Sequence, residues 1–439
     1  MRTSLPLLSS TALLIACGQE GAVIPKHIGI VVPEGFFVTE VTAPFDVYSH
    51  AGDLADVFLV GETLEPITGY YGEVLYPDYT FDDAPPTDVL VVPSGAGSME
   101  EDLEDDAYLA YIRQESEDAD FVTSHCWGAF ALGAAGVLDG KDATTFPGYT
   151  EALDEKFEAI DEIVDDRRWV QDENVITSNG GMAAFEASLY VVEELFGAEE
   201  ADAIADGLVF TDENRDYVDN PRITSVPGSS EAIAPLPETK NVAILIMDGL
   251  FVTEAVAPYD VYAHAGESLH VYFVAATRAP IVGHYGERLA PHYTFADAPQ
   301  ADVLVIPSGD ASMDADLQDQ EMLAWVAEQA AGADYVTSNC WGAFTLAAAG
   351  LLDGRSATTF PGYFDELRGA FSSIGEVVED ARIVRDGHVI TSNGGLAAYE
   401  SALYVVQELF GPTAGDIIAG GLVFSEQNLQ SVREPYVAR

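Results

Sequence analysis

The chain has 439 residues, 48% of them hydrophobic, and carries 74 acidic against 18 basic side chains, a formal net charge of −56. This length exceeds what one hydrophobic core usually serves and fits two domains. So acidic a surface repels nucleic acid and anionic lipid headgroups, and we expect neither as a partner. Its three cysteines are too few for a disulfide framework.

The first 25 residues have the pattern of an export signal and a tether. In residues 1–16, Arg2 precedes an apolar run that is too short to span a bilayer. The following Leu-Ile-Ala-Cys resembles a bacterial lipobox, which implies that Cys17 is lipidated and becomes the mature N-terminus. A plain secretory signal cleaved near Ala16 is the alternative. Both predict an exported protein of the cell envelope, with residues 17–25 as a tether and the lipid as its only membrane contact.

From Lys26 onward, segments typical of strands and helices alternate. Such alternation predicts an α/β fold in which helices cover both faces of a parallel sheet. In the first half we predict strands at 27–32, 57–60, 88–92, 120–123, 168–171 and 175–177, and helices at 43–51, 108–117, 128–137 and 182–196.

The second half of the chain repeats the first. Val122–Tyr149 and Val336–Tyr363 differ at six of 28 positions, and their cysteines are separated by 340 − 126 = 214 residues. The same offset holds from Lys26 to Phe210, so whole domains are repeated. We predict two tandem doubly wound parallel-sheet domains at 26–214 and 240–428, a Pro-, Ser- and Ala-rich linker at 215–239, and a tail at 429–439.

One cysteine of each repeat, Cys126 or Cys340, lies between a predicted strand and a predicted helix. A nucleophile on such an elbow is lifted above the sheet and faces the positive end of the helix, which favours the thiolate. We therefore predict a thiol pKa below its usual value of about 8.5. The alternative is a buried, inert thiol. The elbow position and the lack of a disulfide framework argue against that alternative.

Four motifs accompany these cysteines. They are Cys-x-Gly-Ala at the elbow, Val-Pro-Ser-Gly after a central strand, Leu-x-Asp-Gly-x-x-Ala-Thr-Thr in the second copy, and Asn-Val-Ile-Thr-Ser-Asn-Gly-Gly before the last long helix. Together they resemble the ThiJ/PfpI family, a class I glutamine amidotransferase-like group with a flavodoxin-like fold. The resemblance covers nearly the whole of both copies. It implies a cysteine-dependent enzyme for a small molecule, of the isonitrile hydratase or the glyoxalase and deglycase kind.

The resemblance also implies roles for individual residues. It assigns an acid in the loop after the first strand, Glu40 or Glu254, as the partner of the cysteine. A carboxyl group held against a thiolate in a partly dry pocket has a raised pKa and can donate and recover a proton. We predict hydrogen-bond reach between Glu40 and Cys126 and between Glu254 and Cys340; a solvated loop glutamate is the alternative. Backbone oxyanion donors are implied at Gly95 and Trp127, and at Gly309 and Trp341.

The chain departs from its relatives where some of them carry histidine. Trp127 and Trp341 follow the cysteines, and Phe146 and Phe360 follow Ala-Thr-Thr, so we expect no peptidase. We expect no cofactor and no metal, since no histidine or cysteine pair has ligand spacing. The expected partner is a small molecule, in a pocket narrowed by Trp127, Trp341, Tyr149 and Tyr363. The alternative is a non-catalytic module of the same fold that binds a ligand or senses oxidants.

Other polar residues have more ordinary interpretations. His125 precedes the cysteine on a strand, where neighbours point to opposite sides, so we expect it to pack or lie at the surface. His50 and His264 are expected to cap helix ends. Residues 178–181 fit a turn and cap better than an anion cradle. Finally, we expect the two copies to pack as an internal pseudo-twofold dimer.

The lipobox-like segment gives a direct prediction. Mass spectrometry of the mature protein from a bacterial host is expected to find diacylglycerol on Cys17 as the first residue. An unmodified N-terminus elsewhere would contradict lipidation but leave export standing.

Overall fold

The computed structural model of the protein describes residues 24–222 and 232–438. Cys17, the predicted signal segment at 1–16, most of the predicted tether and the middle of the predicted linker lie outside the described residues. Within them, each repeat forms one α/β domain. No helix of the described residues has the length and apolar character needed to cross a bilayer.

The first domain is built from nine strands and seven helices within the described residues. The strands are β1 (Lys26–Val31), β2 (Ala55–Gly61), β3 (Ile67–Thr68), β4 (Val74–Leu75), β5 (Tyr79–Thr80), β6 (Val89–Val92), β7 (Phe121–His125), β8 (Trp169–Asp172) and β9 (Val175–Ser178). The helices are α1 (Val38–Ser49), α2 (Asp106–Ser116), α3 (Gly128–Ala135), α4 (Thr150–Lys156), α5 (Met182–Phe196), α6 (Ala198–Gly207) and α7 (Asp212–Asp219).

The second domain repeats this order and adds strands at its end. Its strands are β10 (Lys240–Leu245), β11 (Leu269–Ala275), β12 (Ile281–Val282), β13 (Arg288–Leu289), β14 (Tyr293–Thr294), β15 (Val303–Ile306), β16 (Tyr335–Asn339), β17 (Ser356–Ala357), β18 (Glu376–Val377), β19 (Ile383–Asp386), β20 (Val389–Ser392) and β21 (Tyr436–Val437). Its helices are α8 (Val252–Ala263), α9 (Gln320–Gly332), α10 (Gly342–Ala348), α11 (Phe364–Ala370), α12 (Leu396–Phe410), α13 (Pro412–Gly421) and α14 (Gln430–Arg433).

Each domain contains the predicted parallel sheet. The strand order is β5-β2-β1-β6-β7-β9-β8 in the first domain, and β14-β11-β10-β15-β16-β20-β19-β21 in the second. The edge strand β8 runs antiparallel to β9, and β19 runs antiparallel to β20, with β21 parallel to β19 at the edge of the second sheet. Successive residues of β1 point to opposite faces of the sheet. Ile30 packs in the hydrophobic core that contains α1 and α5, and Val31 packs in the core that contains α2 and α3. The sheet is therefore covered on both faces, as the alternation of segments predicted.

Helix α1 begins earlier than predicted. We expected it at Ala43 with Pro44 in its first turn, but it starts at Val38 and holds Pro44 inside. Pro44 lacks the N–H that would bond the carbonyl of Glu40, yet the helix persists because all its residues are buried. Glu40 consequently lies in the first turn of a buried helix and not in a loop.

Regular secondary structure continues beyond residues 214 and 428. Helix α7 runs beyond residue 214, and the backbone of Arg222 forms an isolated antiparallel β-bridge with that of Arg167. The predicted tail at 429–439 contains α14 and β21, which pairs in parallel with β19. These elements were not predicted because their sequences are polar. The residues they pair with are also distant in the sequence.

The two domains pack through equivalent surfaces. The Met182 N–H donates to the Leu422 carbonyl at 3.0 Å, and the Leu396 N–H donates to the Leu208 carbonyl at 2.9 Å. Both pairs follow the offset of 214, since 182 + 214 = 396 and 208 + 214 = 422. The same contact made in both directions is the property of a twofold, isologous interface.

A shared core and a shared sheet join the domains. One hydrophobic cluster contains buried residues of both, among them Val41, Phe185, Val256 and Tyr399. The strands β12, β13, β4 and β3 form one four-stranded sheet that crosses the interface. These contacts predict that the domains move as one body.

Small-angle X-ray scattering tests this packing. A single compact body of about 400 residues has a radius of gyration of roughly 22 Å, and we expect a value near this for the folded part. A much larger value with two resolved lobes would contradict a shared core.

Candidate active site

Cys126 lies on a strained turn between β7 and α3. Its φ angle is 54°, and that of Cys340 between β16 and α10 is 53°, in the left-handed region that side chains rarely adopt. Such a conformation costs on the order of 1–3 kcal/mol and persists where the surroundings enforce it. Here the Thr145 hydroxyl donates to the Cys126 carbonyl at 2.7 Å. Gly128 lies so close to the end of β6 that an added Cβ would be 2.1 Å from the Val92 carbonyl oxygen. The expected strand-to-helix elbow is thus present.

Glu40 is buried next to this elbow. Its Oε1 accepts a hydrogen bond from the Gly181 N–H at 2.9 Å, while its Oε2 has no hydrogen-bond partner. Glu254 is held in the same way by Gly395, at 2.7 Å. Burial raises the pKa of Glu40 to about 8, and the Gly181 N–H only partly offsets this effect. The carboxyl group is therefore mostly protonated at pH 7.

The turn at residues 178–181 shapes the site. Gly180 has φ of 82°, and a Cβ there would lie 2.5 Å from the Glu40 Oε1 and 2.6 Å from the Cys126 Cβ. Only glycine fits between the two groups. The turn is also the N-cap of α5, as predicted, and the acidic group it holds is Glu40 itself.

Cys126 and Glu40 line one cavity of about 170 Å³. Cys340 and Glu254 line the equivalent cavity of about 150 Å³. The hydrogen-bond reach between the sulfur and the carboxyl group stays a prediction, and one carboxyl oxygen of each glutamate has no hydrogen-bond partner. The Ser94 hydroxyl and the Trp127 N–H both lower the pKa of the Cys126 thiol, although the Ser94 hydroxyl has no hydrogen-bond partner. Glu40 is bound by the Gly181 N–H. The sulfur and the carboxyl group thus face a common space.

The predicted low thiol pKa is contradicted. Burial raises the pKa of Cys126 well above its usual value and the nearby Glu40 raises it further, while Ser94 and Trp127 lower it by less. Cys340 is shifted in the same direction by the same causes. The helix dipole alone suggested the opposite, but desolvation outweighs it at a buried sulfur whose ionisable neighbour is an acid.

Of the predicted oxyanion donors, the two glycine N–H groups have other hydrogen-bond partners, whereas the two tryptophan N–H groups lie at the elbow. The Gly95 N–H donates to the Ser98 hydroxyl at 2.8 Å, and the Gly309 N–H donates to the Ser312 hydroxyl at 2.9 Å. The Trp127 N–H, the other expected donor, points to the sulfur of Cys126, and that of Trp341 points to Cys340.

Sequence reasoning missed Ser94 and Ser308. Both are fully buried, their hydroxyl groups have no hydrogen-bond partner, and each lowers the pKa of its elbow thiol. Their signal in the sequence is the serine of Pro-Ser-Gly, directly before the predicted donor glycine.

Aromatic side chains narrow both cavities. Phe37, Trp127 and Phe146 line the first cavity. Phe251, Trp341 and Phe360 line the second. Tyr149 and Tyr363, which we expected in the pockets, instead pack behind the tryptophans, with ring centroids 5.0 and 4.9 Å away.

His50 and His264 cap their helices, as predicted. The Nδ1 of each lies 2.8 Å from the carbonyl oxygen four residues earlier, at Asp46 or Asp260. The same two histidines also line the cavity of the opposite domain, His264 beside Cys126 and His50 beside Cys340. The sequence of one repeat does not predict this position of the histidines, because the cysteine that each one lies beside belongs to the other repeat.

His125 has only a packing role. It is fully buried, its Nδ1 pairs with the Ser178 hydroxyl at 2.8 Å, and burial lowers its pKa to about 3. Among residues 24–222 and 232–438, no group of three histidine, cysteine or acidic side chains is placed to hold a metal ion.

The two sites differ behind the cavities. Thr39 donates a short hydrogen bond to Asp260, and its hydroxyl lies 2.9 Å from that of Tyr399. In the other half the Thr253 hydroxyl has no hydrogen-bond partner, and Phe185 occupies the position equivalent to Tyr399. Similar cavities thus have different polar surroundings.

Comparison with known proteins gives the family. The model of the DJ-1/PfpI family matches residues 26–194 and 240–408, and the chain belongs to this family. Isonitrile hydratase of Pseudomonas putida is 38% identical over 165 residues, which cover 38% of this chain and 70% of that protein. Protein DJ-1 homolog B of Arabidopsis thaliana is 25% identical over 397 residues, 89% of this chain and 86% of its own.

Solved structures include related single domains. A THiJ/PfpI family protein from Pseudomonas syringae is 27% identical, covering 49% of this chain and 86% of its own, with a TM-score of 0.40. Drosophila melanogaster DJ-1beta is 26% identical, covering 43% of this chain and all of its own, with a TM-score of 0.39.

Glu73 and Glu287, on the hairpins of the shared sheet, form a second pair of buried acids. Their exposed fractions are 1% and 2%. Burial raises the pKa of each to about 8. Between pH 4.5 and 8 the folded state keeps these protons while the unfolded state loses them, so stability is full below pH 4.5 and falls as pH rises through 8.

Replacing these two glutamates by glutamine therefore flattens the pH dependence of stability. Between pH 6 and 8 the native protein is expected to lose up to about 1.4 kcal/mol per pH unit for each group, and Glu73→Gln/Glu287→Gln to lose less. Urea unfolding at pH 6, 7 and 8 measures this. The exposed pair Glu62→Gln/Glu65→Gln is the control, and an equal change in both variants would refute the assignment.

Proposed function

We propose that each domain is a cysteine-dependent catalyst that hydrates a small neutral electrophile, with an isonitrile as the best candidate. The observation that carries this proposal is the shared cavity of Cys126 and Glu40, in which an elbow cysteine faces a carboxyl group of pKa about 8. The equivalent pair is Cys340 and Glu254.

The cavities favour a compact substrate. One water molecule takes about 30 Å³ of liquid volume, so 150–170 Å³ accommodates only a few heavy atoms besides the water that reacts. Aromatic rings form much of the lining, and the acidic surface repels anions. A small neutral molecule with an apolar substituent meets these conditions.

The arrangement supports addition of water without redox chemistry. The Cys126 thiol first releases its proton to water, and because its pKa is raised the thiolate is a minor but sufficient population. The thiolate then attacks the terminal carbon of the isonitrile and forms a C–S bond, and protonated Glu40 donates its proton to that carbon. The product is a thioformimidate. Water then adds to the carbon, Glu40 passes a proton from the water to the nitrogen, and the C–S bond breaks with its electron pair returning to sulfur. Glu40 recovers the hydroxyl proton, and an N-substituted formamide leaves.

The pKa of Glu40 suits this sequence. A group that must donate a proton and then accept one works best when its pKa lies near the working pH. A solvated glutamate would be ionised at pH 7 and unable to donate. Burial beside the elbow thus gives the carboxyl group its protonated starting form.

An isonitrile fits the donors better than an aldehyde does. Attack on an aldehyde places negative charge on oxygen, which backbone donors would stabilise. The N–H groups of Gly95 and Gly309 are already engaged by serine hydroxyls. Attack on an isonitrile places the charge where a carboxylic acid can protonate it. The identity of 38% to an isonitrile hydratase supports the same choice.

A redox sensor of the same fold is the competing function. Such a sensor depends on an accessible thiolate of low pKa. Burial raises the pKa of both elbow thiols here, so slow reaction with peroxide is expected. The catalyst is the better supported of the two.

We also propose that this activity resides outside the cytoplasm. The support is the lipobox-like sequence ending at Cys17 and the strongly acidic composition, both features of the sequence alone. The mature N-terminus tests this location independently of the chemistry.

Turnover tests the assignment of the two pairs. Cys126→Ser/Cys340→Ser is expected to abolish formamide production from small isonitriles. Glu40→Gln/Glu254→Gln is expected to lower kcat by a factor on the order of 10²–10⁴, since it removes proton transfer. The control is Glu73→Gln/Glu287→Gln, which changes buried glutamates of similar pKa outside both cavities and is expected to stay within a few-fold of the native rate.

Product assays follow both isonitriles and small aldehydes. Turnover of aldehydes alone would shift the assignment to the glyoxalase type. Full activity of the double cysteine variant would refute the cysteine mechanism.

A further inference from the structure

Each cavity is completed by the other domain. The cavity of Cys126 is lined by Asp260, His264, Gly421 and Leu422 of the second domain. The cavity of Cys340 is lined by Asp46, His50, Gly207 and Leu208 of the first. Neither domain alone therefore encloses its own cysteine.

The imidazole of His264 is held in a defined direction. Its Nδ1 lies 2.8 Å from the Asp260 carbonyl oxygen and 3.1 Å from the Asp260 Oδ1. The Tyr71 ring packs against the imidazole at 5.2 Å between centroids. With Nδ1 committed to Asp260, the opposite edge of the ring lies toward the cavity. His50 is held in the same way by Asp46 and Tyr285, with the ring again 5.2 Å away.

The titratable neighbours of His264 are acids. They are Asp260 on its own helix, Glu40 on α1 of the other domain, Glu73 and Tyr71 on the hairpin, and the Cys126 thiol across the cavity. Burial lowers the pKa of His264, but the Asp260 carboxylate, its hydrogen bonds and Glu40 raise it by more, so the net shift is upward. His264 is the base among these acids, so a proton on its imidazole is the positive charge in this set.

We propose that His264 and His50 are positioning residues that act in trans, each stabilising the deprotonated cysteine–glutamate pair of the opposite domain. A buried pair that loses one proton becomes an anion, whether sulfur or carboxylate holds the charge. A cation that lines the same cavity favours that loss, and the negative charge of Asp260 without a neighbouring cation opposes it. The interface between the domains thus tunes the acidity of both thiols.

Alkylation rates measure this effect without any substrate. Iodoacetamide reacts with the thiolate, so its rate between pH 6 and 10 reports the apparent pKa of each cysteine. Peptide mass spectrometry of the full chain reads Cys126 and Cys340 separately in one sample. His264→Asn keeps a donor for the Asp260 carbonyl but removes the charge, and His50→Asn is its counterpart.

A crossed pattern is expected. His264→Asn is expected to raise the apparent pKa of Cys126 by about one unit, so that alkylation below that pKa slows roughly tenfold, and to leave Cys340 unchanged. His50→Asn is expected to do the reverse. No shift, or a shift of both cysteines in either variant, would overturn the proposal, because general loosening of the interface would affect both sites.

Restoring the charge separates electrostatics from packing. His264→Arg is expected to return the Cys126 profile to within a few tenths of a pH unit of the native one, and an Arg variant shifted as far as the Asn variant would overturn the charge argument. If His264→Asn does not fold, His264→Gln gives the same reading. The alkylation experiment measures thiol acidity and uses no isonitrile. It can therefore contradict the role of the histidines without contradicting the isonitrile reaction, and the turnover assay can do the reverse.

Discussion

Two adjacent N–H groups at the start of helix α5 connect the site to the domain interface. The Gly181 N–H holds the carboxyl group of Glu40, and the Met182 N–H bonds the carbonyl of Leu422 in the other domain. Gly181 has φ of 54°, and a Cβ on it would lie 2.3 Å from the same carbonyl oxygen. The turn therefore accepts glycine only, and one backbone approach both buries the acid and closes the cavity. The second domain repeats this arrangement.

Because of this coupling, each candidate site depends on the presence of the other domain. A lone domain would lose the second-domain residues that line the cavity beside Glu40, and the greater hydration would lower the pKa of its carboxyl group toward the ordinary range. Packing α1 against α8 removes that water and brings a histidine to each cavity. Because both copies share one chain, their surroundings have also diverged. Asn339, for example, donates to the Glu254 carbonyl that Pro258 leaves free, at 2.9 Å, whereas His125 occupies the equivalent position in the first half.

The structural features that depend on residues close together in the chain could be predicted from the sequence. Strand alternation and the apolar stretch of α5 gave the parallel sheets and the elbow, because local pattern and burial agree there. The start of α1 was misplaced because Pro44 normally marks a helix beginning, and only tertiary burial keeps it inside. The sequence also concealed the roles of His50 and His264, since both depend on contacts between repeats. The predicted direction of the thiol pKa shift was wrong, because a sequence indicates a helix N-terminus but does not show how far the sulfur is desolvated.

Titration of activity with a thiol reagent tests the central claim most directly. The account predicts that isonitrile turnover falls in proportion to modification and reaches zero when Cys126 and Cys340 of each chain are both alkylated, as located by peptide mass spectrometry. Turnover that persists in fully alkylated protein, or that disappears while both elbow cysteines remain free, would contradict it.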